Sequence, residues 1–313
     1  MKTIFYHGLL FSFVLVTSFV DIGVKLAMEW FSPIASATLV SSIGALAALS
    51  VGLIKVRNTN PAVKLKFSRK IYMQLFLMSF LSGLALICSN TAIDLINPLT
   101  FRVTQVVFFP IFVSTISWRT SGKHTSQKEL LATALAIFGF FVYYLNDLPQ
   151  ITVHMDGLLL SILAALLYAT VLYFTKKLTS LEVPTEFVIA FRFFLLGLMA
   201  VFFVPEIPAQ LPLKIGLLIC GLGLVGYWLR YELMVEGIKG LPITAMSLYT
   251  VSTPVVSAIL YRLFLKPDPY LPVQILGLSL IVIALFWSVA GISFPLAPIR
   301  SQPGRSTKYI KKD

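Results

Sequence analysis

Residues 220–232 read CGLGLVGYWLRYE. Gly221, Gly223 and Gly226 spell G-x-G-x-x-G, which could cradle a pyrophosphate if a strand preceded it and a helix followed. Four residues beyond Gly226, Arg230 interrupts an apolar run. Its planar fork of donors suits a carboxylate or a phosphate. The dinucleotide chemistry also needs an acidic residue about 20 positions on, within a βαβ unit. Here the glycines lie inside an uncharged apolar stretch with no such pattern around it. Small residues in apolar helices let neighbouring backbones approach closely. Gly221, Gly223 and Gly226 are therefore predicted to form a packing face. A G-x-x-x-x-G-K-[ST] phosphate loop is absent from the sequence.

Other ionisable residues also interrupt apolar stretches, and they fall into two groups by depth. Asp21, Lys25, Asp94 and Arg102 lie toward one end of their stretches, and Arg192, Arg230, Glu232 and Glu236 toward the other. A charge at membrane depth costs about 3 kcal/mol on insertion scales, so it faces the protein interior or a wet cavity. Arg230 and Arg102 are predicted to anchor a solute. Asp21, Asp94, Arg192 and Glu232 are predicted to gate or couple its passage at two mouths. The competing reading is static ion pairs, or side chains reaching to the headgroups, above all for Lys25 and Glu236. Ser247, Thr250, Pro254, Ser257 and Tyr261 are spaced 3, 4, 3 and 4 apart and share one helical face. Ser79, Ser82 and Asn90 share another, and Tyr227, Trp228 and Tyr231 add aromatic rings. The predicted cavity wall comprises Ser247, Thr250, Tyr227, Tyr231 and Asn90, with Pro110 and Pro254 bending their helices.

Enzymatic and cofactor chemistry has little to stand on. His7, His124 and His154 have no partner at metal-ligand spacing, and H-E-x-x-H is absent. Cys88 and Cys220 both lie in apolar stretches and make no disulfide framework. No metal, no cofactor and no enzymatic activity are predicted. The alternative function is an intramembrane enzyme or lipid-modifying protein, and the serines lack the paired base that would support it.

The elements that position these residues follow from composition. The chain has 313 residues, 58% hydrophobic and 12% charged, with a mean hydropathy of +0.88. A soluble chain carries about 25% charged residues, so most of this one must face lipid. Uncharged runs at 4–20, 32–54, 71–93, 103–118, 130–146, 157–175, 193–205, 215–229, 241–261 and 271–299 predict ten membrane helices. They lack the alternation of a barrel strand. The net charge of +12 is concentrated in residues 55–70, 119–128, 176–177 and 300–312. With ten spans these all fall on one side, which predicts cytoplasmic termini in a plasma (inner) membrane and no role in nucleic-acid binding.

The chain also repeats itself. NPLTFRVTQVVFFPIF around the fourth span matches LPITAMSLYTVSTPVV around the ninth through Pro98/Pro242, Thr100/Thr244 and Pro110/Pro254. HGLLFS (7–12) and DGLLLS (156–161) open the first and sixth spans. Five spans per unit require the second unit to enter the membrane from the opposite side. The fold class is thus an all-α integral membrane protein of two inverted five-helix repeats, 1–146 and 157–299. A linker (147–156) joins them and a basic tail (300–313) follows. Inverted repeats place a solute site near the midplane between the halves.

These features resemble the drug/metabolite transporter superfamily, and within it the EamA-like family. The stretch 228–263, WLRYELMVEGIKGLPITAMSLYTVSTPVVSAILYRL, is similar to that family's eighth and ninth helices. FVIAFRFF (187–194), with Arg192, is similar to its seventh. The sequence departs from the family where Ser41 stands opposite Arg192, and where YRLFLKPD replaces a frequent Gly-Glu pair. The resemblance implies a carrier that moves small organic solutes through a cavity between the halves by alternating access. It also implies peripheral fifth and tenth helices, available for a homodimer. Arginines and aromatics at such a cavity would suit an amino acid, a carboxylate or a phosphorylated metabolite.

Overall fold

The computed structural model describes residues 2–59, 67–96, 98–121, 127–145, 155–203, 211–241, 246, 249–250, 253–265 and 272–289. Among these residues the secondary structure is helical: α1 (Lys2–Ala27), α2 (Pro33–Thr59), α3 (Arg69–Leu95), α4 (Pro98–Ser121), α5 (Gln127–Tyr144), α6 (Met155–Ser180), α7 (Thr185–Phe203), α8 (Leu213–Gly240), α9 (Thr253–Leu265) and α10 (Pro272–Val289). Seven, α1–α4 and α6–α8, are long and apolar enough to cross a membrane. Their outward faces carry phenylalanines such as Phe5, Phe76, Phe80 and Phe202, which fits lipid as the surrounding solvent. The basic tail, and the predicted linker apart from 155–156, lie outside the described residues.

Helix ends obey local chemistry. Ser68 caps α3 by accepting from the Ile71 amide. Beyond α6, Glu182 adopts φ 59°, and the Val183 amide returns to the Leu178 carbonyl at 3.2 Å. This is a left-handed C-cap, and Pro184 then leads into α7. Pro110 lies inside α4, where it removes one helical hydrogen bond. Pro254 is the second residue of the described span of α9, and Tyr249 and Thr250 ahead of it are helical as well. Val251 and Ser252 before it are outside the described residues.

The rod α8 contains the glycine motif. It runs as α-helix over Leu213–Gly221, as π-helix over Leu222–Leu229, and as α-helix again over Arg230–Gly240. A β-carbon at Gly223 would stand 2.5 Å from the Ile43 β-carbon, and one at Gly226 would stand 2.7 Å from the Val20 side chain. From the other side, a β-carbon at Gly44 would meet the Tyr227 β-carbon at 2.5 Å. Two of the three motif glycines thus seat α8 against α2 and α1. Gly221 departs from the predicted packing face, because nothing lies within 4 Å of where its β-carbon would be.

The helices pair in a definite pattern. α2 packs on α7, α5 on α10, α3 on α6, α4 on α6, α1 on α8, α3 on α7, α2 on α8 and α1 on α9. α5 and α10 approach closely, since a β-carbon at Gly277 would lie 2.6 Å from the Gly139 carbonyl oxygen. The main apolar core draws on α1, α2, α7 and α8, with Phe193, Tyr227, Tyr231 and Ile238 among its fully or nearly fully buried members.

Candidate functional site: a cavity with three arginines

One cavity, of about 80 Å³, lies between α1, α3, α4, α6, α7 and α8. Its wall includes Asp21, Asn90, Arg102, Arg192, Tyr227, Arg230, Tyr231 and Thr250, all of them predicted from sequence. The two predicted groups of charges therefore do not sit wholly at separate mouths. Asp21 and Arg102 from one group meet Arg192 and Arg230 from the other around a single space. Depth along each apolar stretch is readable in sequence, but the tilt that brings one stretch over the next is not.

The electrostatics of the wall are unequal. Arg102 grips Asp21 through both carboxylate oxygens, from Nε and Nη2. Its Nη1 donates to the Gln105 Oε1 at 2.6 Å. Asp21 is 3% exposed, and Arg192 and Arg230 are 3% and 5% exposed. Among the described residues, neither Arg192 nor Arg230 has a carboxylate partner. Instead their guanidinium carbons stand 4.1 and 4.5 Å from the centre of the Tyr231 ring. Arg230 is also 5.3 Å from the Tyr227 ring. Ring faces attract cations through their quadrupole, so Tyr231 holds two like charges beside one another. The π-helical segment ends at Leu229, immediately before Arg230 and Tyr231. Its wider turn changes the direction in which those two side chains leave the rod.

The remaining predicted residues separate by environment. Asn90 Nδ2 donates to the Pro33 carbonyl at 3.2 Å. Thr250 Oγ1 donates to the Met246 carbonyl at 3.0 Å. Asp94 lies outside the cavity, 3.7 Å from Lys25 Nζ. Glu232 also lies outside it, accepting from Trp228 Nε1 at 3.1 Å and standing 3.6 Å from Lys55. Lys55 pairs with Glu186 as well, so it bridges α2 to α7 and α8. Glu236 pairs with Lys239 at 2.5 Å and accepts from Thr185 at 2.7 Å. Ser79 is not on the cavity wall and accepts from the Leu195 amide at 3.0 Å. Ser247 and the side chain of Tyr261 lie outside the described residues.

Sequence reasoning missed Tyr168, Ser89 and Gln105, all on the cavity wall. Ser89 Oγ donates to Tyr168 Oη at 3.3 Å. Gln105 was findable, standing one helical turn from Arg102 on the same face. Tyr168 was not, because a tyrosine in an uncharged stretch marks an interface as readily as a cavity. Lys55 was also missed. It sits at the end of a long apolar run, where a lysine usually reaches solvent.

Residues 155–290 match the EamA-like transporter family. No curated protein matches the chain. Twenty-seven chains of solved structures match it. One of these, titled only as the crystal structure of a protein, is 17% identical and superposes with a TM-score of 0.68. The match covers 91% of this chain and 97% of the other, so the two share a fold.

Proposed function

We propose that the chain, an integral multi-pass membrane protein whose residues 155–290 belong to the EamA-like transporter family of the drug/metabolite transporter superfamily, carries a small organic metabolite across the plasma (inner) membrane. The solute occupies the arginine-lined cavity, and the two five-helix halves alternate its exposure. The observation that carries this reading is that both halves build the cavity wall. Asp21, Asn90 and Arg102 come from the first half, and Tyr168, Arg192, Arg230 and Thr250 from the second.

The pairing of helices supports a twofold repeat. Exchanging each helix with the one five positions away turns α1·α8 into α6·α3, and α1·α9 into α6·α4. It also turns α2·α8 into α7·α3, and leaves α2·α7 and α5·α10 unchanged; all of these pairs are present. Lysines follow the same rule. Lys25, near the end of α1, donates to the Ile93 carbonyl of α3 at 3.4 Å. Lys176, near the end of α6, donates to the Ile238 carbonyl of α8 and to Leu241 at 3.2 Å.

Alternation requires contacts that break at one end while they hold at the other. Lys55 with Glu186 and Glu232 links the halves on the side that carries the basic loops. That side is cytoplasmic, with both termini, by the bias of short basic loops. Reconstitution in proteoliposomes tests the carrier. Flux should saturate with solute, and preloaded solute should drive counterflow. Unsaturable flux without counterflow across a metabolite panel would reject it.

A further inference from the structure

The cavity wall carries three arginines and one aspartate. Asp21 is fully engaged by Arg102, which leaves the charges of Arg192 and Arg230 uncompensated by any carboxylate among the described residues. Among the described residues, the buried polar side-chain atoms of the wall left without a hydrogen bond are all donors. Arg192 Nε and Nη1, Arg230 Nε and Gln105 Nε2 have no hydrogen-bond partner. Tyr231 steadies the two guanidinium groups at 4.1 and 4.5 Å from its ring centre, but a ring face does not neutralise two cations. The rest of the wall is mostly apolar or aromatic, with Phe13, Phe101, Phe109 and Leu86, and its other polar side chains, Thr17, Ser89, Asn90 and Thr250, donate to backbone carbonyls of the chain.

We propose that the solute is a short organic dianion, a dicarboxylate or a phosphate monoester, with its negative oxygens on Arg192, Arg230 and Gln105. Two buried cations without counter-charge call for two negative charges in a guest, because desolvated charges must be paired. Unbonded donors call for a guest made of acceptors, and planar guanidinium forks match carboxylate and phosphate oxygens. A free amino acid fits less well. Its ammonium would need a carboxylate, and Asp21 is already held. The carbon body of the dianion packs on the phenylalanines. This inference rests on the carrier reading of the same cavity.

The test measures thermal stabilisation of the purified, detergent-solubilised chain at neutral pH. The probes are succinate, succinamate and succinamide, which carry two, one and no negative charges. Glutarate and phenyl phosphate serve as further dianions. Dianions should stabilise most and the neutral diamide not at all. Arg192→Gln and Arg230→Gln should each weaken dianion binding by about tenfold or more, the value of a charge-assisted hydrogen bond. Asp21→Asn should tighten it, because Arg102 then becomes available. Where a glutamine variant does not fold, Arg192→Lys and Arg230→Lys keep the charge and lose the fork; they should still weaken dianion binding, and unchanged dianion binding in both would overturn the proposal. Equal response to the three succinate-derived probes would overturn the proposal, as would no response to any dianion. Counterflow in proteoliposomes then separates the two readings. Dianion binding without counterflow of that dianion overturns the carrier and leaves the anion site. Counterflow of a neutral solute without dianion binding overturns the anion site and leaves the carrier.

Discussion

Asp21 and Arg102 show how much a single buried charge depends on its partner. The carboxylate is 3% exposed and is held by two guanidinium nitrogens. Removing one member of a buried pair costs about 3–5 kcal/mol, because the other charge is left uncompensated. Arg102→Gln should therefore lower the thermal midpoint sharply in a fixed detergent. The double variant Asp21→Asn/Arg102→Gln should recover most of that loss. A double variant as unstable as the single one would show that the pair is not coupled. At this scale much of the cavity wall was legible in the sequence. A charge inside an apolar stretch must face inward, so Asp21, Arg102, Arg192 and Arg230 could be nominated by type and depth alone. Their meeting around one cavity was not legible, because which stretch crosses which is decided by packing. Uncharged wall residues such as Tyr168 and Ser89 carry no comparable signal.

Among the elements, α8 ties the motif glycines to the site. Gly223 and Gly226 let the rod press on α2 and α1, and the π-helical turns that contain them lead directly into Arg230 and Tyr231. The three glycines look alike in sequence, yet their surroundings differ, and two alanine substitutions should therefore differ in sign. At Gly221 the new methyl meets nothing within 4 Å, and replacing a helical glycine by alanine gains about 0.5–1 kcal/mol. At Gly223 it meets the Ile43 β-carbon at 2.5 Å and the Val40 carbonyl oxygen at 3.2 Å. Neither is the far end of a flexible side chain, so α2 must yield, and overpacking of this kind costs about 1–3 kcal/mol. Gly221→Ala should leave the thermal midpoint unchanged or raised, and Gly223→Ala should lower it. Equal midpoints would mean that α8 is not seated on α2 through Gly223. The small residues foretold a helix packed at close quarters. The π-helical segment had no sequence sign, since an extra residue in a turn is forced by neighbours and not by local preference.

For the whole molecule, the two lysine contacts describe one device used twice. In each half, a lysine late in the first helix caps carbonyls at the end of the third: Lys25 on Ile93, and Lys176 on Ile238 and Leu241. A cation at a helix C-terminus contributes about 0.3–1 kcal/mol, and up to about 2 when partly buried, so Lys25→Met and Lys176→Met should each lower the thermal midpoint modestly. If the halves are inverted copies, these caps lie on opposite faces of the membrane, and so do the turns that follow α1 and α6. Trp30 and Glu182 are exposed in those two turns, which makes them reporters of orientation. In a chain with Cys88 and Cys220 replaced by serine, Trp30→Cys should react with an impermeant thiol reagent added outside intact cells. Glu182→Cys should react only after the membrane is opened. Matched sequence pieces such as HGLLFS and DGLLLS indicated the repeat, but they cannot indicate its sense, which comes only from counting an odd number of spans per unit. Labelling of both cysteines from the same face would therefore remove the inversion, and with it the physical basis for one cavity being presented alternately to two sides.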